Sequence, residues 1–74
     1  MSTIISENNI DEATAAELQK YMEDHGVVEI RMRRDSGQKW NYLVTMKDGK
    51  QFMGAQHNGM GDCMKAIIHK IEEA

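Results

Sequence analysis

The chain has 74 residues, of which 41% are hydrophobic and 28% charged, and its formal net charge is −3. A single small domain of this length buries only about 60% of its unfolded surface, which argues against a deep catalytic cavity and hence against an enzyme. No segment approaches the roughly 20 apolar residues of a membrane span, and the stretch "MSTIISENNIDEA" lacks the basic and apolar parts of a secretory signal. We therefore expect a non-enzymatic protein that is neither exported nor inserted into a membrane.

The single cysteine, Cys63, excludes an internal disulfide. Small domains without disulfides are typical of reducing compartments, so we predict a cytoplasmic location. Cys63 and the three histidines have no spacing typical of zinc ligands, and Cys63 and His69 point in different directions on a helix. A reactive thiolate at a helix N-terminus is a minor alternative for Cys63. We predict no metal, no cofactor and no catalytic residue.

Charge is divided unevenly along the chain. Residues 1–26 hold six carboxylates and one lysine, whereas residues 27–50 hold six cations and three carboxylates. An acidic first segment followed by a basic middle segment indicates which charged partners the chain can attract at long range. It does not indicate the fold.

The first predicted element is a helix over residues 10–25. Side chains at three- and four-residue spacing form one stripe on it: Ile10, Thr14, Leu18, Tyr21, Met22 and His25. Asn9 or Asp11 can cap its first amides. Gly26 suits the left-handed residue that follows a helix end.

Two strands are predicted next, over residues 27–34 and 39–46. "VVEIRMRR" and "WNYLVTM" alternate along their length, which is the pattern of half-buried strands. A three-residue loop, Asp35-Ser36-Gly37 with Gly37 left-handed, pairs Arg34 with Gln38. The resulting register gives the pairs Met32 with Trp40, Ile30 with Tyr42 and Val28 with Val44, which puts the apolar residues on one face.

A second hairpin is predicted at "KDGK", where Asp-Gly favours a type I′ turn with Lys47 opposite Lys50. The third strand then covers residues 51–56, with Met53 on the core face and Phe52 on the opposite face. That opposite, solvent-facing side also holds Val27, Leu43 and Gly54.

The last predicted element is a helix over residues 62–73, capped by Asp62. Its inward stripe consists of Met60, Met64, Ile67, Ile68 and Ile71. The predicted fold class is α+β: a single two-layer α-β-β-β-α domain with both helices on one face of a three-stranded antiparallel sheet.

The segment "GKQFMGAQHNGMGDCMKAI", together with the α-β-β-β-α order, resembles the double-stranded-RNA-binding domain. It is similar to the third strand, the Gly-x-Gly connection and the last helix of that family, here with Gly59, Gly61 and Ala66. The resemblance implies that fold and RNA binding, with lysines at the start of the last helix on the phosphates and the first helix and first hairpin in the flanking minor grooves.

The chain departs from that family at the RNA-contacting positions. The paired lysines fall on Cys63 and Met64, and only Lys65 lies close to them. The first helix, which would meet RNA, carries acidic side chains that phosphate repels.

Three surfaces are candidates for binding. They are the basic hairpin with Arg31, Arg33, Arg34 and Lys39, the solvent-facing side of the sheet around Leu43 and Phe52, and the acidic first helix with Glu17 and Asp24, which could mimic nucleic-acid charge. We expect docking on a macromolecular partner, most readily a protein. In its small size and in its separation of acidic and basic segments, the chain is similar to phage and mobile-element inhibitors of host machinery, including anti-CRISPR proteins. The alternatives are nucleic-acid binding through the basic hairpin and a homodimer.

Overall fold

The computed structural model describes residues 3–6, 10 and 12–73. Two helices and four strands follow one another as β1 Thr3–Ser6, α1 Glu12–His25, β2 Val27–Arg34, β3 Trp40–Met46, β4 Gln51–His57 and α2 Met60–Glu73. The strands form one sheet in the order β1-β2-β3-β4. β1 runs parallel to β2, and the other neighbours are antiparallel. None of these helices is long and apolar enough to cross a membrane.

The predicted α+β class with two helices is confirmed, but the three-stranded antiparallel sheet is wrong. Thr3–Ser6 forms a fourth strand at the edge, in parallel register with β2. Parallel neighbours need a long crossover connection, and α1 is the helix within that connection. Four residues are too few to display a convincing alternation, which is why the sequence pattern did not reveal this strand.

The core lies between the helices and one face of the sheet. α1 and α2 contribute Leu18, Met22, Cys63, Ile67 and Ile71 to it, and the strands contribute Val27, Ile30, Met32, Trp40, Tyr42 and Val44. α2 begins at Met60, so Asp62 lies in its first turn instead of at the cap. Gly26 has φ +69°, the left-handed conformation predicted for the end of α1.

The loop between β2 and β3 is three residues long but is displaced by one position from the prediction. Asp35 N donates to Lys39 O at 2.8 Å, and Gln38 N donates to Asp35 O at 2.9 Å, so Ser36-Gly37-Gln38 is the loop. Gln38, and not Gly37, has the positive φ of 61°.

The pairing between β2 and β3 therefore differs from the predicted one by two residues. Ile30 lies opposite Val44 and Met32 opposite Tyr42. A shift of two residues preserves the face on which each side chain lies, so the predicted core face of these two residues is retained.

The start of β2 differs from the prediction. An irregularity in the ladder lies between Val27 and Glu29. Val27 is consequently buried, although the sequence placed it on the solvent side, and Val28 is half-buried. A bulge changes the alternation locally, which period-two reasoning does not capture.

The register of β4 is one residue away from the prediction, and this reverses its two faces. Met46 N donates to Lys50 O at 2.8 Å, and Gly49 N donates to Met46 O at 3.0 Å. Gly49, at φ 93°, takes the left-handed position of a three-residue loop, in place of the predicted two-residue turn. Val44 consequently pairs with Phe52, not with Met53. A one-residue slip exchanges every inward and outward side chain.

Gly54 shows why this register fits. It lies opposite Tyr42, and a Cβ at this glycine would come within 2.2 Å of the Tyr42 ring. The ring occupies the space above the glycine backbone and stacks on His57 at a centroid distance of 5.7 Å. The sequence placed Gly54 on the solvent side, which is therefore wrong.

Candidate docking surface

Within the described part of the chain, no element covers the face of the sheet opposite the helices, and a row of side chains crosses that face. Ile5, Arg31, Leu43 and Met53 lie directly opposite one another on successive strands; we call them the central row. Met53 is 78% exposed and Ile5 40% exposed, while Leu43 is half-buried between its neighbours. Three apolar side chains thus reach solvent in one line, with a single cation among them.

A polar row runs beside the central row. It consists of Thr3, Glu29, Thr45 and Gln51, again on successive strands. Glu29 accepts a hydrogen bond from Arg31 Nε, and Gln51 Nε2 donates to Thr45 Oγ1 at 3.2 Å. The bond to Glu29 directs Arg31 towards the polar row, and the row gives the apolar residues a polar border.

On the other side of the central row lies a shallow depression of about 230 Å³. Arg31, Arg33, Asn41, Tyr42 and Leu43 line it. Asn41 Oδ1 accepts a hydrogen bond from Gln56 N at 3.1 Å. That bond satisfies the backbone amide of Gln56, which has φ 65°. Gln56 lies at the point where the ladder between β3 and β4 is irregular, between Trp40 and Tyr42.

The predicted basic hairpin is divided between surfaces. Arg31 and Arg33 alternate with Met32 and so belong to the open face. Arg34 lies opposite Trp40 and has the other orientation. Lys39 Nζ donates to Asn58 Oδ1, in the connection before α2. The four cations therefore do not form one patch.

Phe52 is wrongly placed by the sequence prediction. It lies opposite Val44 and packs, partly buried, against the core. Met53 and Ile5 take the exposed positions, and sequence reasoning did not select either as a site residue. The signal that could have found Met53 is the three-residue loop ending at Gly49, since it determines the β4 register.

The acidic first helix presents a mixed surface. Glu17 and Asp24 are exposed and, with Lys20 and Tyr21, line a depression of about 340 Å³. Tyr21 stacks on His25 at a centroid distance of 6.0 Å. Lys20 between the carboxylates reduces the resemblance of this face to a run of phosphates.

Cys63 lies on the inward side of α2 with no exposed surface. Burial raises the pKa of its thiol from 9.0 to about 11, because desolvation disfavours the charged form, and this does not favour the minor alternative of a reactive thiolate. Among the described residues there is no cluster of three or more histidine, cysteine or carboxylate side chains that could hold a metal ion.

In comparisons with known proteins, no family model matches the chain, and no curated protein or solved structure is significantly similar to it. Residues 12–73 have the α-β-β-β-α order of the double-stranded-RNA-binding domain, but nothing further links the chain to that family. A shared order of elements without a shared site is weak support for a shared function.

Proposed function

We propose that this chain is a non-enzymatic binding module that docks on a protein through the open face of its sheet, with the central row at the middle of the contact. The observation that carries the proposal is the 78% exposure of Met53 in line with Leu43 and Ile5. Exposed apolar groups within a polar border are typical of protein-interaction surfaces.

The side chains of the row favour a partner of particular chemistry. Methionine is flexible and polarizable, so Met53 can adapt to an apolar side chain on the partner. Arg31 and Arg33 lie next to the apolar residues, and guanidinium groups pair well with carboxylates. We therefore propose a protein surface that presents an apolar side chain bordered by carboxylates.

Nucleic acid is the less favoured ligand for this face. Single-stranded RNA and DNA are bound largely by stacking of bases on aromatic rings. Of the aromatic residues in the described strands, Trp40 and Tyr42 are buried and Phe52 packs on the core side. The net charge of −3 also opposes association with phosphate. Action in the cytoplasm as an inhibitor of host machinery remains a prediction within this proposal.

The test compares two single substitutions on β3. Leu43→Lys puts a charge in the central row beside Arg31 and should abolish capture of the partner, because an apolar contact is replaced by a cation. Thr45→Lys adds the same charge to the same strand and face, in the polar row, and should reduce capture only slightly. The measurement is a pull-down from the native host, with captured proteins quantified by mass spectrometry for wild type and both variants.

Two controls make the comparison decisive. Far-UV circular dichroism and the fluorescence of Trp40 report whether each variant keeps the fold. Equal capture by Leu43→Lys and wild type would exclude the central row. If duplex or single-stranded nucleic acid binds instead, with affinity that falls steeply with salt, the basic hairpin alternative is supported.

A further inference from the structure

β4 is a long free edge of the sheet. It covers Gln51–His57 and, within the described part of the chain, has β3 as its neighbour on one side alone. Met46 and Lys50 form a hydrogen-bonded pair, and such pairs alternate along an antiparallel ladder. The backbone amides and carbonyls of Gln51, Met53 and Ala55 therefore point away from β3, towards solvent.

This edge is only partly protected against further pairing. Edge strands commonly carry charges or proline that prevent association with another strand. The segment "QFMGA", residues 51–55, contains neither. The ladder irregularity beside Gln56, whose φ is 65°, ends the regular edge after Ala55. Five residues are thus open for pairing, and the length of any added ladder is limited.

We propose that two copies of the chain pair antiparallel along β4, with the two-fold axis at Met53, to form an eight-stranded sheet. In this register Met53 lies opposite Met53 of the second copy, and Gln51 lies opposite Ala55. Each hydrogen-bonded pair exchanges two bonds, so the three pairs add about six backbone hydrogen bonds. This pairing uses the strand edge and does not depend on the docking proposed above.

The side chains of β4 are complementary to themselves in this register. Phe52, which is only partly buried in one chain, lies opposite Gly54 of the second copy, beside the Tyr42 ring that covers that glycine, so the two aromatic rings become neighbours. Lys50 and Gln56 flank the five residues of this intermolecular pairing and lie outside it. The two central rows join at Met53 into one continuous apolar line. An antiparallel contact with itself is therefore favoured over a strand of unrelated sequence.

The symmetry also closes the assembly. A two-fold contact uses the same edge of both chains, so the β4 edges are consumed in the dimer. The remaining edge is β1, which has four residues. A closed pair is expected, and not a growing fibre.

Engineered cysteines test the register directly. Residues in a hydrogen-bonded pair have Cα atoms about 5.5 Å apart, within the range that a disulfide spans. Met53→Cys should give a disulfide-linked dimer under mild oxidation. Gln51→Cys and Ala55→Cys should cross-link when mixed with each other but not when each is oxidised alone. Lys47→Cys, at an exposed turn, is the control for random collision, and native Cys63 is buried.

The unmodified chain provides the second measurement. Its mass in solution, from sedimentation over micromolar to millimolar concentrations, should reach twice that of one chain. Met53→Pro removes a backbone amide that faces the free edge, so this variant should no longer form the dimer. Thr45→Lys should still form it. Trp40 fluorescence checks that both variants keep the fold.

Three results would overturn the proposal. The first is a mass equal to one chain at every concentration. A chain whose β4 pairs with a foreign peptide but never with a second copy would give this result. The second is cross-linking of Met53→Cys no faster than that of Lys47→Cys. The third is self-linking of Gln51→Cys as fast as the mixed pair, which would indicate another register.

Discussion

Cys63 illustrates how burial at one residue decides its chemistry. The thiol has no exposed surface, and Cys63, Ile67 and Ile71 follow one another along the buried side of α2. Desolvation raises its pKa to about 11 and keeps the thiol protonated at neutral pH. It acts as a small apolar side chain in the packing between helix and sheet.

This raised pKa predicts a loss of stability in alkaline solution. The unfolded thiol ionises near pH 9, whereas the folded one holds its proton to about pH 11. The unfolded chain therefore binds fewer protons in this window, and the free energy of unfolding should fall by about 2 kcal/mol from pH 9 to pH 11. Below pH 9 this contribution is constant. Guanidinium denaturation across the range measures it.

The matched variant is Cys63→Ala. It should be less stable at neutral pH, because a buried group is lost, but its stability should fall less steeply above pH 9. Tyr42, whose pKa burial also raises, remains in both proteins and accounts for the residual slope. An equal slope in both proteins would show that Cys63 does not titrate as described.

β4 shows how the register of one strand determines which side chains form the surface. Phe52 and Met53 are adjacent apolar residues, so alternation alone allows either to face the core. The loop ending at Gly49 turns Phe52 inward and Met53 outward. The exposed row on the open face follows from this choice.

Gly54→Ala tests that register. Its Cβ would lie within 2.2 Å of the Tyr42 ring, so the ring or the strand must move, and we expect a loss of about 2–3 kcal/mol in the free energy of unfolding. Gly61→Ala is the control, since nothing lies within 4 Å of a Cβ there, and its stability should be unchanged or slightly higher. Chemical denaturation measures both. A harmless Gly54→Ala would instead favour the register in which Gly54 faces solvent.

Over its described residues the molecule is a four-stranded sheet with two helices on one side, and β1 completes one edge of the sheet. Ile4 packs against the core, while Ile5, the next residue, is 40% exposed on the open face. The strand therefore contributes one side chain to stability and one to the proposed docking surface.

A pair of alanine substitutions separates these contributions. Ile4→Ala should lower the free energy of unfolding by about 1–2 kcal/mol, less than a fully buried site because Ile4 is only partly buried. Ile5→Ala should change it by less than about 0.5 kcal/mol. Thermal and chemical denaturation give both values, and equal losses would show that β1 does not pack in the described orientation.

Much of the architecture was predictable because its signals are local. The stripe around Leu18 and Met22 predicts α1, and Gly26 ends it. Alternation through Ile30 and Met32 predicts the inward face of β2, which is retained despite the two-residue error in pairing with β3, because such an error keeps every side chain on its face.

The candidate site was only partly predictable. Leu43 and Arg31 were assigned to the open face from alternation and lie there. Met53 was assigned to the core and Phe52 to the surface, the reverse of what is found. The bulge that buries Val27 was likewise absent from the pattern, since bulges depend on contacts between strands.

The sequence by itself determined the α+β class, the two helices, the inward orientation of Ile30 and Met32 on β2, and the inward face of β3, since these depend on periodicities within single segments. The tertiary structure alone decided that Thr3–Ser6 joins the sheet, how the strands pair, and which side of β4 meets solvent. Strand pairing is set by groups far apart in the chain: β1 needs a parallel neighbour across α1, and the Tyr42 ring needs the space that Gly54 leaves. Such requirements have no local period, and so only the folded chain expresses them.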